Sequence, residues 1–219
     1  MKNKNLIAYL WLAVFVIIAT AISIYFQDSW IAYFASISGV ICVYLVSRES
    51  VWNYPIGIIN IILLLLITWQ TKLYGDFMLN IYFFVVTFYG WWFWIAKRDK
   101  TKGEKVVRTR RYSNRGRLIL VLICVVAFVD YALILSLMGD SFPYPDSFTN
   151  VCSIVAMYLM SVKRIESWYL WIAVDVVSIF MYLGVSQFVV AFMWFAFLIN
   201  AFYGLMIWKK GMEKQNDGE

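Results

Sequence analysis

Apolar residues in this chain gather into long runs instead of alternating with polar ones. Eight runs stand out, at 6–26, 30–46, 54–69, 77–96, 118–138, 148–162, 168–184 and 188–208. A hydrocarbon core about 30 Å thick takes roughly 17 to 25 apolar residues as helix, the form in which a crossing backbone satisfies its own polar groups. The pattern predicts an all-α integral membrane protein of about eight hydrophobic helices, the shorter runs crossing with help from flanking residues. The first run follows Met1-Lys2-Asn3-Lys4 and contains Ala19-Thr20-Ala21, as a cleaved leader would. Its apolar stretch is too long for a typical leader, so it is read as a retained helix that spans the membrane or lies tilted at its surface.

The polar positions set the orientation. With both termini on the cytoplasmic side, 18 of the 19 Lys and Arg residues share that side and only Lys72 lies opposite, as the preference of basic loops for the cytoplasm requires. The loop 97–117 alone holds ten basic residues beside Asp99 and Glu104, while 139–147 carries Asp140, Asp146 and no base. The net charge of +6 is thus a topology signal, with contact to anionic lipid as an added role. No nucleic-acid partner is expected.

A chain that is 63% hydrophobic and 15% charged departs from soluble domains, which are about half apolar and a quarter charged. It has no His, which excludes His-based triads, His metal sites and the usual neutral-pH proton relay. Cys42, Cys124 and Cys152 sit inside apolar runs without metal-ligand spacing and read as packing residues. No metal and no cofactor is expected.

Two stretches resemble each other. Trp52-x-x-Pro55-x-Gly57 returns as Trp168-x-x-Trp171-x-Ala173, 116 residues later, and Tyr89-Gly90-x-x-x-Trp94 returns as Tyr203-Gly204-x-x-x-Trp208, 114 residues later. The chain then divides into an N-terminal hydrophobic helix (1–29), a first three-helix repeat (30–96), the basic loop (97–117), a connecting helix with an outer loop (118–147), a second three-helix repeat (148–208) and a tail (209–219). Three helices per repeat would invert the second copy, but the connecting helix restores its direction. The expected fold is therefore two parallel repeats in a 3+1+3 order enclosing a central pathway.

Once loops are assigned, only Asp130 and Asp175 remain as acids near mid-span, and a carboxylate there costs at least a few kcal/mol. Asp175 lies near the depth of Asn60, where the two are candidates to bond a substrate. Asp130, in the connecting helix, reads as a structural group bonded to Ser, Tyr or backbone. Asn60, Asn80 and Asn200 offer amide donors and acceptors, either to a ligand or across helices. Trp52, Trp168, Tyr89 and Trp208 fall near span ends, where aromatic anchors are ordinary. Trp194 is closer to mid-depth and is a candidate to stack on an aromatic ring, with simple packing as the alternative. Pro55 and Gly57 fit a helix entry or a gating bend.

Trp52-Asn53-Tyr54-Pro55-Ile56-Gly57-Ile58-Ile59-Asn60, Lys72-Leu73-Tyr74-Gly75-Asp76 and Tyr89-Gly90-Trp91-Trp92 resemble the nicotinamide riboside transporter (PnuC) family. Glu166-Ser167-Trp168-Tyr169-Leu170-Trp171 with Asp175 is similar to that family's second-half motif. The resemblance runs from about Arg48 to Trp208. It implies a bacterial inner-membrane carrier with a core like that of the SWEET sugar transporters, assembled as a homotrimer in the lipid bilayer. It further implies import of nicotinamide riboside by facilitated diffusion, with intracellular phosphorylation trapping the solute. In that setting Trp194 would hold the nicotinamide ring. Asn60, Asn200, Gln70 and Asn80 would bond amide and ribose, and Asp175 would offset the ring charge or bind hydroxyls. Trp52, Pro55, Gly57, Trp168 and Tyr203 are the candidate gating residues. The rival readings are a carrier of another vitamin or sugar, a receptor-like membrane protein, and an intramembrane enzyme using Asp130 and Asp175 as a carboxylate pair.

Overall fold

The computed structural model describes residues 29–72, 74–98, 107–139, 142–184 and 188–216, with isolated helical positions between 13 and 25. Most of the 6–26 run, and the reading of it as a retained first helix, lies outside the described residues. Among them, seven helices are complete: α1 (Trp30–Ser47), α2 (Asn53–Gln70), α3 (Tyr74–Ala96), α4 (Asn114–Leu137), α5 (Pro143–Ser161), α6 (Glu166–Gly184) and α7 (Phe188–Asn216). All but α5 are long and apolar enough to cross a membrane. The chain is an all-helical, multi-pass membrane protein.

Local chemistry sets several helix ends. Ser29 and Ser113 cap α1 and α4, their hydroxyls accepting from the Ala32 and Gly116 N–H groups at 3.2 Å each. α4 thereby starts inside the basic loop. α5 begins at Pro143, ahead of the apolar run, because proline's missing N–H is no loss in a first helical turn. α7 continues past the apolar run into the segment read as a tail, with Lys209 and Lys210 on its exposed side.

The helices close into a ring. α1 packs on α2, α2 on α3, α3 on α5, α5 on α6, α6 on α7, and α7 returns to α1. α4 stands outside this ring against α5. The difference between those two helices follows from their residues. α4 exposes Leu118, Val121, Val125, Val129 and Leu133 among many others, so lipid is its natural solvent. α5 is the least apolar of the seven, and it buries Ser147, Ser153 and Ser161 against its neighbours.

At the Lys/Arg-rich end, the α1–α2 corner and the α5–α6 corner share one hydrogen-bond pattern at a constant offset of 114 residues. Arg48 N bonds Tyr44 O and Val162 N bonds Tyr158 O; Glu49 N bonds Val46 O and Lys163 N bonds Met160 O. Ser50 N and Arg164 N reach Leu45 O and Leu159 O, and Tyr54 N and Trp168 N reach Val51 O and Ile165 O. Even the left-handed residues correspond, Glu49 at φ 57° and Lys163 at φ 58°. Non-glycine residues adopt that region rarely. The partner of Trp168 in this pattern is Tyr54, so the alignment of Trp52 with Trp168, made on the recurring Trp, is out of step by two residues.

Candidate functional site

The two corners support a buried girdle. Tyr54 and Trp168 each lie against a glycine one element away. A Cβ on Gly90 would stand 2.9 Å from the Tyr54 hydroxyl and from Ser161 Cβ, and a Cβ on Gly204 would collide with the Trp168 ring. These two glycines are required by close approach. Tyr54 then meets Trp94 edge-on at 5.3 Å and 90°, and Trp168 meets Trp208 at 5.4 Å and 87°. Trp94 Nε1 donates to Met160 O and Trp208 Nε1 to Val46 O, both at 3.3 Å. Each tryptophan thus ties its own helix to the end of a helix from the other half of the ring. Trp94, Trp168 and Trp208 are all at most 1% exposed.

Between Trp94 and Trp208 sits a charge. Lys163 Nζ lies 3.8 Å from the centre of the Trp94 ring and 4.5 Å from that of Trp208, and it pairs with Glu49 Oε1 at 3.3 Å. Its side chain is fully enclosed, whereas that of Glu49 is 27% exposed. Burial draws the Lys163 ammonium down from its ordinary 10.5 to about 8, outweighing the pull of Glu49. The segment after residue 106 straps this layer from the solvent side. Val107 N bonds Trp94 O, Arg110 exchanges backbone bonds with Lys163 O and Ile165 N, and Thr109 Oγ1 donates to Glu49 Oε1 at 3.1 Å. Glu166 holds the strap's far end through Tyr112 N at 2.9 Å and Arg117 Nε at 3.1 Å. The described part of the basic loop from Val107 onward is therefore a structural closure of this end.

The candidate binding residues divide. Asn200, 2% exposed, has an Nδ2 with no hydrogen-bond partner, and Trp194 Nε1 and Trp168 Nε1 are also buried without one. Asp175 is 3% exposed and Ser178, one turn on, is equally enclosed. Asn80 is buried but donates to Asp76 O at 2.8 Å. Asn60 Nδ2 donates to Ala35 O at 2.7 Å and to Ser38 Oγ at 3.3 Å, joining α2 to α1. Gln70 is exposed at the end of α2. Trp194 meets Phe197 edge-on at 5.8 Å. No hydrogen bond or ring contact joins Asn60, Asn80, Asp175, Trp194 and Asn200 to one another among the described residues. An open cleft of about 340 Å³ lined by Phe88, Trp91, Trp92, Ile95 and Ala96 holds none of them.

The candidate gating residues divide as well. Trp52 is 71% exposed and Tyr89 40%, as end anchors would be, but Trp168 and Trp208 belong to the buried girdle and are not anchors. Pro55 lies in the first turn of α2, which runs on without a break. A Cβ on Gly57 would press Cys42 Sγ at 3.1 Å, so Gly57 brings α1 and α2 together. Tyr203 accepts a 3.4 Å bond from Arg48 Nη1. Asp130 is exposed on α4 and makes no bond to Ser, Tyr or backbone among the described residues. With Asp175 enclosed in the ring and Asp130 facing out of the bundle, the two do not form a carboxylate pair.

Glu49, Lys163 and Thr109 were not singled out by motif reading, and Tyr54 and Trp94 stood within motifs without a role of their own. The signal that finds all but Thr109 is the constant 114-residue spacing, which pairs Tyr54 with Trp168, Trp94 with Trp208, and an acid with a base at 49 and 163.

Comparison with known proteins agrees with this architecture. A family model described as "Nicotinamide mononucleotide transporter" matches residues 29–210. The "Nicotinamide riboside transporter PnuC" of Neisseria mucosa is 31% identical over 95% of this chain and 82% of its own. The "Riboflavin/roseoflavin transporter RibM" of Streptomyces davaonensis is 32% identical over 68% of this chain and 70% of its own. A crystal structure of "the Vitamin B3 transporter PnuC" superposes with a TM-score of 0.77 at 30% identity, covering 94% of this chain and 92% of that one. With most of its length matched by the family model and its ring of helices matched by a solved relative, the chain belongs to the nicotinamide mononucleotide transporter family, that of the PnuC proteins, whose members are membrane transporters and not enzymes.

Proposed function

We propose that this chain carries nicotinamide riboside into the bacterial cell across the inner membrane, with both termini and the basic end in the cytoplasm. The observation that carries the reading is the set of buried, unpartnered donors on α6 and α7: Trp168 Nε1, Trp194 Nε1 and Asn200 Nδ2. A buried donor without an acceptor costs about 1–3 kcal/mol, and a solute presenting a carboxamide oxygen and ribose hydroxyls relieves that cost. Asp175, buried on α6, supplies the counter-charge that a pyridinium ring needs. Asn60 and Asn80, with their amide nitrogens engaged, act as frame more than as ligands, and Gln70 lies at the outer end of the pathway.

The mechanism that fits is alternating access without an energy source. The constant 114-residue offset supports two parallel three-helix repeats, α1–α3 and α5–α7, with α4 as connector, and these would rock about the solute between them. Diffusion down the gradient is sustained when an intracellular kinase consumes the solute. A homotrimer belongs to the same reading: α4 carries Asp130 on an otherwise apolar outer face, and a neighbouring copy would spare that carboxylate from lipid.

The test is calorimetric titration of the purified protein with nicotinamide riboside, with nicotinamide mononucleotide and riboflavin as competitors. Saturable binding, weakened about tenfold by Asn200→Ala as expected for one lost hydrogen bond to the solute, supports both cargo and site. Heat with riboflavin alone would move the cargo to that of the Streptomyces relative, and no heat with any pyridine nucleoside would end the assignment.

A further inference from the structure

We infer that Glu49 and Lys163 are the latch of a gate at the basic end, joined when the pathway is shut there and separated when it opens. The inference rests on the chain's being a membrane transporter, not on which solute it carries.

The argument starts from where the pair lies. Positions 49 and 163 occupy the same place in the two corners, 114 residues apart, each left-handed just after its helix ends. If the halves of the ring are related by an axis along the membrane normal, these two residues face each other across it. Four of the contacts that cross between the halves lie at this level, Trp94 to Met160, Trp208 to Val46, Trp94 against Trp208 at 5.9 Å, and Lys163 to Glu49, while Tyr82 bonds Ile154 O farther along α3 and α5. A rocking motion that opens this end must therefore break this layer.

The chemistry suits a contact made and broken in each cycle. An ammonium between two indole faces gains from the ring quadrupoles, but its burial is costly and is balanced only while a counter-charge stays beside it. A purely apolar plug would gain from every Å² buried and would resist opening, whereas a charged pair returns to water with much of its cost refunded by hydration. Removing Glu49 leaves Lys163 buried without its counter-charge, and removing Lys163 leaves Glu49 without its ion partner. Thr109 adds a control point, because its hydroxyl holds the Glu49 carboxylate from the strap and so links the α3–α4 connection to the gate.

Spin labels at Ala96 and Lys210 test this. These positions are exposed, 114 residues apart, at the ends of the helices that carry Trp94 and Trp208. Cys42→Ser, Cys124→Ala and Cys152→Ala provide the cysteine-free background. Distances are measured in the full chain in vesicles without solute. The wild type should give mostly the short distance. Glu49→Gln and, separately, Lys163→Gln should raise the ratio of long to short distances about threefold or more. The exchanged pair, Glu49→Lys with Lys163→Glu, should return it toward wild type, because the two corners are built alike. An unchanged distribution in the single variants overturns the latch, as does an exchanged pair that stays as open as they are. Loss of nicotinamide riboside binding leaves these distances untouched, so failure of the cargo assignment and failure of the latch are read separately.

Discussion

The α1–α2 corner and the α5–α6 corner are one backbone built from different side chains. Ser47 and Ser161 bond the carbonyls of Tyr44 and Tyr158 in the same way, yet Tyr54 faces Trp168, and Glu49 faces Lys163. The backbone pattern is held by hydrogen bonds that any residue can make, so the side chains were free to diverge. They diverged where the two corners meet, which is where identical residues fail: two lysines or two glutamates at that distance would repel. The comparison teaches that two corners with one backbone pattern can differ in side chain where they meet.

The comparison can be pressed hardest at the two glycines. Gly204→Ala drives a methyl group into the rigid Trp168 indole and should lower stability by about 2–3 kcal/mol, as overpacking a tight contact does. Gly90→Ala meets the end of the Tyr54 side chain as well as Ser161 and should cost less. Thermal unfolding of both variants in detergent measures the difference, and two equal losses would mean that the corners tolerate crowding alike. At the proposed solute site the two halves carry different residues. Val86 stands 114 residues before Asn200, so Asn200→Ala should weaken nicotinamide riboside binding about tenfold while Val86→Ala changes it less than about twofold. Comparable losses would assign binding to both halves.

Symmetry returns in the tryptophan pair. Trp94→Phe and Trp208→Phe each remove one indole bond to a carbonyl of the other half and should each cost about 1 kcal/mol. A large inequality in their unfolding midpoints would break the correspondence.

Much of the fold was legible as pattern. Runs long enough to cross a bilayer gave α1 to α4 and α6 to within a few residues, and α7 except for its extension to Asn216, because in lipid a helix is dictated by the need to pair every backbone group. α5 was legible by length, although its serines and Asp146 make it too polar to stand among lipid tails. It belongs in the ring, where those groups meet neighbouring helices. Asn200 and Asp175 stand out in the sequence because polar groups at membrane depth are rare, and both are buried. Asn60 was found for the same reason, but its amide bonds the Ala35 carbonyl, and the residue type alone does not distinguish these uses.

The sequence by itself determined the solvent and most of the segments that can cross it, since both follow from composition along one dimension. Only the tertiary structure decided which aromatic residues are anchors and which are girdle: Trp52 and Trp168 look alike in sequence, and one faces out while the other is enclosed. It also decided that Glu49 meets Lys163, that the basic loop folds back over them, and that Asp130 and Asp175 stay apart. Those outcomes depend on which helices become neighbours when the ring closes. Neighbourhood across more than a hundred residues is set by the packing of whole helices, which no local pattern encodes.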